Sequence, residues 1–252
     1  MMRIKELDFL RGLAAFGIMI YHYMKWLYIY GGANTFIGRV GVYGVEIFYV
    51  LSGITLYHVY HNQLSFQKKT LLAYFTKRFF RIFPLFWLSI LLTVLIGLKR
   101  VALGKLFLNV SGLFSVFAWE KYIATGTWSI GNELVFYLLF PFLLYFSRHK
   151  VKLFAGIGLF VLIIFNYFAF YIFNPFDTLH NQWKMFVNPL NHLLFFYSGM
   201  LIPMIIKRKN ESSFGAIFMI VAGAFLLFSI PSGNDGIHLL FGIPRYVYTL
   251  GS

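Results

Sequence analysis

There is no cysteine anywhere in the chain. That absence excludes a disulfide framework, a thiolate metal site and a cysteine nucleophile. Charge is scarce as well: Asp, Glu, Lys and Arg make up 12% of the 252 residues, and only 8 of these are acids. There is no Gly-x-Ser-x-Gly elbow for a serine nucleophile, and Gly38, Gly41 and Gly44 do not make a phosphate loop. No His and Glu cluster has metal-ligand spacing, so no metal is expected. Internal repeats and low-complexity segments are missing too.

What is abundant is apolar surface. Hydrophobic residues account for 60% of the chain, and the mean hydropathy is +0.73. That is more apolar surface than one soluble core of this size would bury. The apolar residues come in runs long enough to cross a bilayer as helices, such as LFAGIGLFVLIIFNYFAFYIF at 153–173. These runs lack the strict alternation of a transmembrane β-barrel strand. The expected fold is therefore all-α, a polytopic transmembrane helical bundle. The formal net charge of +14 could suggest nucleic acid. The Lys and Arg residues instead cluster at the ends of apolar runs, where they set topology and meet anionic headgroups, so membrane lipids are the expected partner and nucleic acid is not.

Arg3 and Lys5 precede an apolar run, as in a secretory signal, but Asp8 and Arg11 interrupt it and no small-x-small cleavage site follows. A retained first helix over 7–30 is expected, stopped by Gly31-Gly32, with a second over 40–61. The basic stretch 62–81 leads through Pro84 into a third span ending near Leu98. Segment 103–118 is short and comparatively polar. Read as a full span, it would place the basic clusters at 148–152 and 207–209 outside, against the positive-inside tendency. Read as lying on the membrane or dipping into it, it leaves both clusters cytoplasmic, at the expense of Lys99, Arg100 and Lys105 outside. The second arrangement is expected, with further spans at 128–146, 151–173, 190–206 and 214–230, a cytoplasmic N-terminus and 174–189 facing outward. YVYTLGS closes the chain just as another apolar run begins, as in a piece of a longer protein. One integral membrane domain over 1–252 with about seven to eight spans is the expectation.

Ionisable residues inside such spans are expensive and mark sites or pathways. Arg11 and His22 are eleven residues apart, which on a helix returns within roughly 20° of the starting direction and about 16 Å along the axis. Asp8 shares that face. A membrane histidine often serves only packing, but this stripe favours a functional one. Glu46 is either the counter-ion of Arg11 or Lys25 or part of a site. Arg78 and Arg81, one turn apart where a basic stretch enters the bilayer, suit either headgroup anchoring or a phosphate clamp. In TWSIGNELVFYLLFP, Glu133 and Tyr137 share a face, and Trp128 suits the membrane interface.

In order, ELDFLRGLAAFGIMIYHY, GVEIFYVLSG, KRFFRIFPLFW, TWSIGNELVFYLLFP and NPLNHLLFFYSGM resemble the acyltransferase family 3 of integral membrane O-acyltransferases, which modify bacterial surface and secreted polysaccharides. The resemblance covers about residues 6 to 200. It maps the family's first-helix signature onto Arg11 and His22, its Arg-x-x-Arg pair onto Arg78 and Arg81, its Trp-Ser-x-x-x-Glu block onto Trp128, Ser129 and Glu133, and the acid of its Gly-Val-acid-x-Phe block onto Glu46. Gly131-Asn132 departs from the bulkier residues usual there, and the chain stops short of the family's ten spans. The resemblance implies a bacterial cytoplasmic-membrane enzyme that moves an acyl group, acetyl being expected, from acyl-CoA to a hydroxyl of an extracytoplasmic or lipid-linked sugar. In that scheme His22 is the general base, Glu46 or Glu133 orients it, Arg11 stabilises the donor, and Arg78 and Arg81 bind CoA phosphates. Asp8, Trp128, Ser129 and Tyr137 complete the expected binding residues. The competing reading is a proton-coupled transporter or flippase that uses Asp8, Arg11 and His22 as a relay and has no need of the arginine pair.

Overall fold

The computed structural model describes residues 5–27, 32–97, 100–205, 223 and 233–251, and among these there is no strand. The helices in chain order are α1 (Lys5–Trp26), α2 (Phe36–Tyr60), α3 (Lys68–Ile96), α4 (Leu103–Val110), α5 (Phe114–Phe117), α6 (Thr127–His149) and α7 (Val151–Tyr167). A π-helical turn, Phe168–Ile172, extends α7, and α8 (Trp183–Phe186) and α9 (Pro189–Ile205) follow. After the undescribed stretch come α10 (Ile237–Leu240) and α11 (Gly242–Gly251). Apart from residue 223, the expected span 214–230 lies outside the described residues, as does the basic triplet 207–209.

Five described segments are long and apolar enough to cross a membrane: Phe36–Tyr60, Lys68–Ile96, Thr127–His149, Val151–Ile172 and Trp183–Ile205. The chain is thus an all-helical, multi-pass membrane protein. Helix α1 has 22 residues but is not among the five, because its polar and charged side chains lower its apolar content. The third span differs from expectation at its start. Helix α3 begins at Lys68 and runs through Pro84 without a break. Its buried residues Tyr74, Arg78, Ile82, Phe86 and Ile90 recur every fourth position, so one stripe holds the helix together while Lys68, Lys69, Lys77 and Arg81 stay exposed. Segment 103–118 forms α4 and α5, of 8 and 4 residues. At about 1.5 Å per residue neither approaches the roughly 30 Å of a hydrocarbon core.

The chain divides into two compact units. The first comprises Met1–Val59, Leu162–Gln182 and Leu194–Ser252. Here α1 lies on α2 along a glycine seam: a Cβ on Gly44 would come within 2.8 Å of Ile18, and one on Gly41 would run into the Tyr21 ring. Helices α2 and α9 cross backbone to backbone, since a Cβ on Gly53 would strike the Phe196 carbonyl oxygen and one on Gly199 the Val50 carbonyl oxygen. Small residues at such crossings let membrane helices gain close packing where no hydrophobic drive exists between them. The 174–182 loop is closed on itself: Gln182 Nε2 donates to the Asn174 carbonyl at 2.8 Å, and the Asn174 N–H donates to Gln182 Oε1 at 2.8 Å.

The second unit comprises Tyr60–Val161 and Trp183–Leu193. Helices α3 and α6 meet through aromatic rings, Tyr74 stacking on Phe140 at 5.8 Å and donating its hydroxyl to the Tyr137 carbonyl at 3.0 Å. Phe114 of α5 stacks on Phe86 at 5.9 Å. A Cβ on Gly131 would meet the Phe114 ring at 2.8 Å. The glycine that departs from the family pattern is therefore where α5 docks, and it lies well inside α6, which starts at Thr127. Buried Asn109 ties α4 down, donating to the carbonyls of Lys105 (2.9 Å) and Lys121 (3.0 Å) and accepting from the Ile123 N–H (3.0 Å).

Candidate active site

In the first unit, helical spacing brings Asp8 and Arg11 together, with 4.0 Å between Oδ1 and Nη1. Arg11 also reaches across to α2, where Nη2 donates to the Leu51 carbonyl at 3.0 Å, an acceptor shared with the Thr55 hydroxyl at 2.7 Å. A guanidinium spent on a neighbouring helix's carbonyl fixes the rotation of its own helix, and with it the direction of every other side chain on that face. His22, further along that face, is half-buried, its ring against Tyr21 (5.2 Å) and Trp26 (6.3 Å). Glu46 is 1% exposed on α2. It interacts electrostatically with Arg245 and Tyr43.

Two buried cations of this unit escaped the sequence reading. Arg39 lies over the Tyr248 ring at 5.4 Å, and Arg245 lies over Phe165 at 4.0 Å and Phe173 at 5.5 Å. Buried guanidinium groups gain from aromatic faces once water is removed. Arg39 stands inside an apolar span seven residues before Glu46, and the rule that intramembrane charges mark sites would have found it. Arg245 carried no such signal, because the rings that hold it come from distant stretches of chain. Near them Tyr43 donates its hydroxyl to the Leu239 carbonyl at 2.7 Å.

The second unit separates the Arg-x-x-Arg pair by burial. Arg81 is exposed, whereas Arg78 is 9% exposed. The Arg78 guanidinium lies 5.6 Å from the centres of both the Tyr60 and Tyr137 rings, and Nη2 donates to the Tyr60 hydroxyl at 3.3 Å. Its Nε is buried and has no hydrogen-bond partner among the described residues. Tyr137 donates its hydroxyl to Glu133 Oε1, the pairing that their four-residue spacing requires. Arg81 also acts electrostatically on Tyr137. The result is a run of charge and hydroxyl, Arg78 to Tyr137 to Glu133. It borders a cavity of about 500 Å³ whose walls are chiefly apolar, among them Phe79, Phe80, Phe83, Leu113, Val116 and Leu138.

Trp128, expected at the membrane interface, is buried within the protein. Its ring packs against Phe186 (5.2 Å), His192 (5.4 Å) and Trp183 (5.8 Å). Segment 183–192 supplies these rings, and nothing local to Trp128 announces them. Its neighbour Ser129 donates to the Gly126 carbonyl at 2.8 Å, closing the first turn of α6. His192, missed by the sequence reading, is fully buried, with Nε2 2.6 Å from the Phe186 carbonyl. A carbonyl can only accept, so Nε2 is the donor in that contact. Trp183 donates to the Tyr122 hydroxyl at 2.8 Å, and burial keeps that phenol above its ordinary pKa, a neutral hydroxyl. One turn along α6 from Trp128, Asn132 is fully buried, and neither atom of its amide has a partner among the described residues. No group of three or more His, Cys, Asp or Glu among the described residues could hold a metal.

The five apolar spans, with arginines buried against aromatic rings and a buried carboxylate at Glu46, define a multi-pass membrane protein with polar sites inside its helices. Residues 4–251 match the model of the acyltransferase domain, and the chain belongs to acyltransferase family 3. It is similar to the O-acetyltransferase OatA of Staphylococcus aureus, in strains NCTC 8325 / PS 47, COL and MRSA252 alike, at 32% identity over 167 residues. That alignment takes in 58% of this chain and 25% of each relative, so the chain spans about a quarter of the length of the curated relatives it matches. No solved structure matches it.

Proposed function

We propose that the chain transfers an acyl group, acetyl by similarity to the relatives named above, from acyl-CoA on the cytoplasmic side to a hydroxyl of an extracytoplasmic or lipid-linked sugar. The observation that carries this reading is the run Arg78, Tyr137, Glu133, a fixed cation coupled through a phenol to a carboxylate beside an apolar cavity. Family membership supplies the reaction class.

His22 takes the proton of the acceptor hydroxyl as its oxygen attacks the thioester carbonyl carbon. The carbon–sulfur bond breaks on collapse, and the departing thiolate recovers the proton from the imidazolium, leaving ester and CoA thiol. Glu46, in the same unit, is the carboxylate assigned to hold the imidazole, and Arg11 fixes the helix that carries it through Leu51. Exposed Arg81 is the cation available to donor phosphates arriving from water. Asp8 partners Arg11, while Trp128 and Ser129 shape the start of α6. The N-terminus is assigned to the cytoplasm of a bacterial cell, and residues 1–252 to one acyltransferase domain.

The test is acyl transfer by the purified chain from radiolabelled acetyl-CoA to a panel of lipid-linked and free sugars. Labelled ester on a sugar supports the reading. CoA binding with no ester on any sugar, alongside substrate-driven proton flux in liposomes, would replace it with a transporter.

A further inference from the structure

At the opposite end of α6 from Trp128, the second unit holds a small hollow of mixed chemistry. Its volume is about 110 Å³, and it is lined by the loop before α3 and the last turns of α6. Three rings contribute to it: Tyr145 stands 5.2 Å from Phe66 and 4.9 Å from His149, and all three are exposed. Arg148 borders the same hollow. Its Nη1 donates to the Leu64 carbonyl at 2.8 Å, which fixes the guanidinium, and the other donors of that group have no hydrogen-bond partner among the described residues. Ser65 adds an acceptor. Thr70 spends its hydroxyl proton on the carbonyls of Ser65 (2.7 Å) and Gln67 (2.9 Å), so Ser65 donates to Thr70 at 3.0 Å and keeps lone pairs on Oγ for another donor. The charge around these residues is all positive: Lys68, Lys69, Lys150 and Lys152 are exposed, and no acid occurs between Glu46 and Glu120 or between Glu133 and Asp177. Glu133, Tyr137, Pro141, Leu144 and Arg148 succeed one another at steps of three and four residues. The hollow therefore lies on the α6 face that carries the phenol and carboxylate, with Arg148 roughly 16 Å along the axis from Tyr137. An aromatic belt at the membrane surface would account for exposed rings, but not for a pinned guanidinium and an accepting hydroxyl bordering one hollow with them. A purine suits all three groups: it stacks on the rings, its amino group donates to Ser65, and a phosphate on its ribose meets the remaining donors of Arg148. A lipid headgroup or a free phosphate would use the arginine alone.

We propose that this hollow seats the nucleotide end of the acyl donor, with adenine against Tyr145 and His149, its amino group on Ser65, and the 3′-phosphate of CoA on Arg148. This rests on the acyl-transfer reading and deepens it. Arg148 selects CoA over donors that lack the 3′-phosphate, and the diphosphate is left to the arginine pair of α3.

The experiment measures equilibrium binding of radiolabelled CoA and dephospho-CoA to the full chain in phosphatidylcholine nanodiscs, together with photolabelling by 2-azidoadenosine 3′,5′-bisphosphate. The parent should bind CoA about tenfold or more tighter than dephospho-CoA, the worth of one charge-assisted contact. Arg148→Gln should erase that difference by weakening CoA alone, whereas a merely structural arginine would weaken both ligands alike. Photolabel should appear on residues 64–66 and 141–149, and excess CoA should remove it. Ser65→Trp, which fills the hollow and leaves the arginine in place, should weaken both ligands and abolish the labelling, and it decides the matter if Arg148→Gln does not fold. Equal affinity of the parent for CoA and dephospho-CoA would mean that no group reads the 3′-phosphate. Loss of label to phosphatidylglycerol added to the nanodiscs would make this an anionic-lipid site, and loss to inorganic phosphate at the same concentration as CoA a general phosphate site; each of these results overturns the proposal. Acyl transfer by an Arg148→Gln protein that still prefers CoA over dephospho-CoA would remove the nucleotide seat and keep the transferase. The expected binding pattern without ester on any sugar would keep the seat and remove the transferase.

Discussion

Replacing Gly199 by Ala adds one methyl group where α2 and α9 cross, and the atoms it meets are all backbone. The Val50 carbonyl oxygen lies in its path, with the Val50 carbonyl carbon and Cα at 2.9 and 3.0 Å. No side chain can rotate away, so relief requires the two helices to separate. Overpacking of this kind costs about 1 to 3 kcal/mol. At Gly53, on the other side of the crossing, the obstruction is again backbone: Phe196 O, with Gly199 C and Met200 N both at 2.9 Å. The structure supplies its own controls, because a Cβ at Gly12 or Gly156 would meet nothing within 4 Å. Both are helical, so alanine there should stabilise by up to about 1 kcal/mol through helix propensity. The same substitution should therefore have opposite signs at the two pairs of positions. The assay is the fraction of each variant left monodisperse after heating in detergent, read by size-exclusion chromatography over a range of temperatures. Gly199→Ala and Gly53→Ala should lose half their signal at lower temperature than the parent, and Gly12→Ala and Gly156→Ala at the same or higher temperature. If all four behave alike, the close crossing of α2 and α9 is wrong.

Two further outcomes follow from particular residues. With no native cysteine, single cysteines placed at Lys150 and at Asn181 should divide under an impermeant maleimide applied to intact cells, the second labelling and the first not; labelling of the first alone would invert the proposed orientation. Asn132→Leu should raise thermal stability in detergent, since it removes a buried amide with no partner among the described residues, each such group costing about 1 to 3 kcal/mol. A fall in stability would mean that the Asn132 amide is hydrogen-bonded in the membrane.

Helical periodicity carried the sequence reading a long way. It paired Asp8 with Arg11 and Glu133 with Tyr137, both of which the structure joins. The apolar runs identified the all-α class, and the basic clusters favoured reading the short, polar segment 103–118 as less than a full span, which α4 and α5 bear out. What stayed hidden depends on contacts between distant stretches. Gly41 and Gly44 read only as a failed phosphate loop, because their use as a seat for Ile18 and Tyr21 appears once α1 is packed. Trp128 was placed at an interface because tryptophan favours one, and only 183–192 folding over it shows why it is buried. The early start of α3 was obscured because its basic residues look like a loop until the stripe from Tyr74 to Ile90, buried at every fourth position, is seen to hold the helix.

The most direct test of the transferase account is the effect of His22→Ala on two readings taken from one preparation, CoA binding and acyl transfer. Loss of a general base that makes no donor contact should leave CoA affinity unchanged and reduce transfer by about 10² to 10⁴ fold. His22→Gln, which keeps hydrogen bonding but cannot take the proton, should be equally slow. A His22→Ala protein that folds, binds CoA and transfers acyl groups at near the parental rate would contradict the account, and would leave His22 as a packing partner of Tyr21 and Trp26.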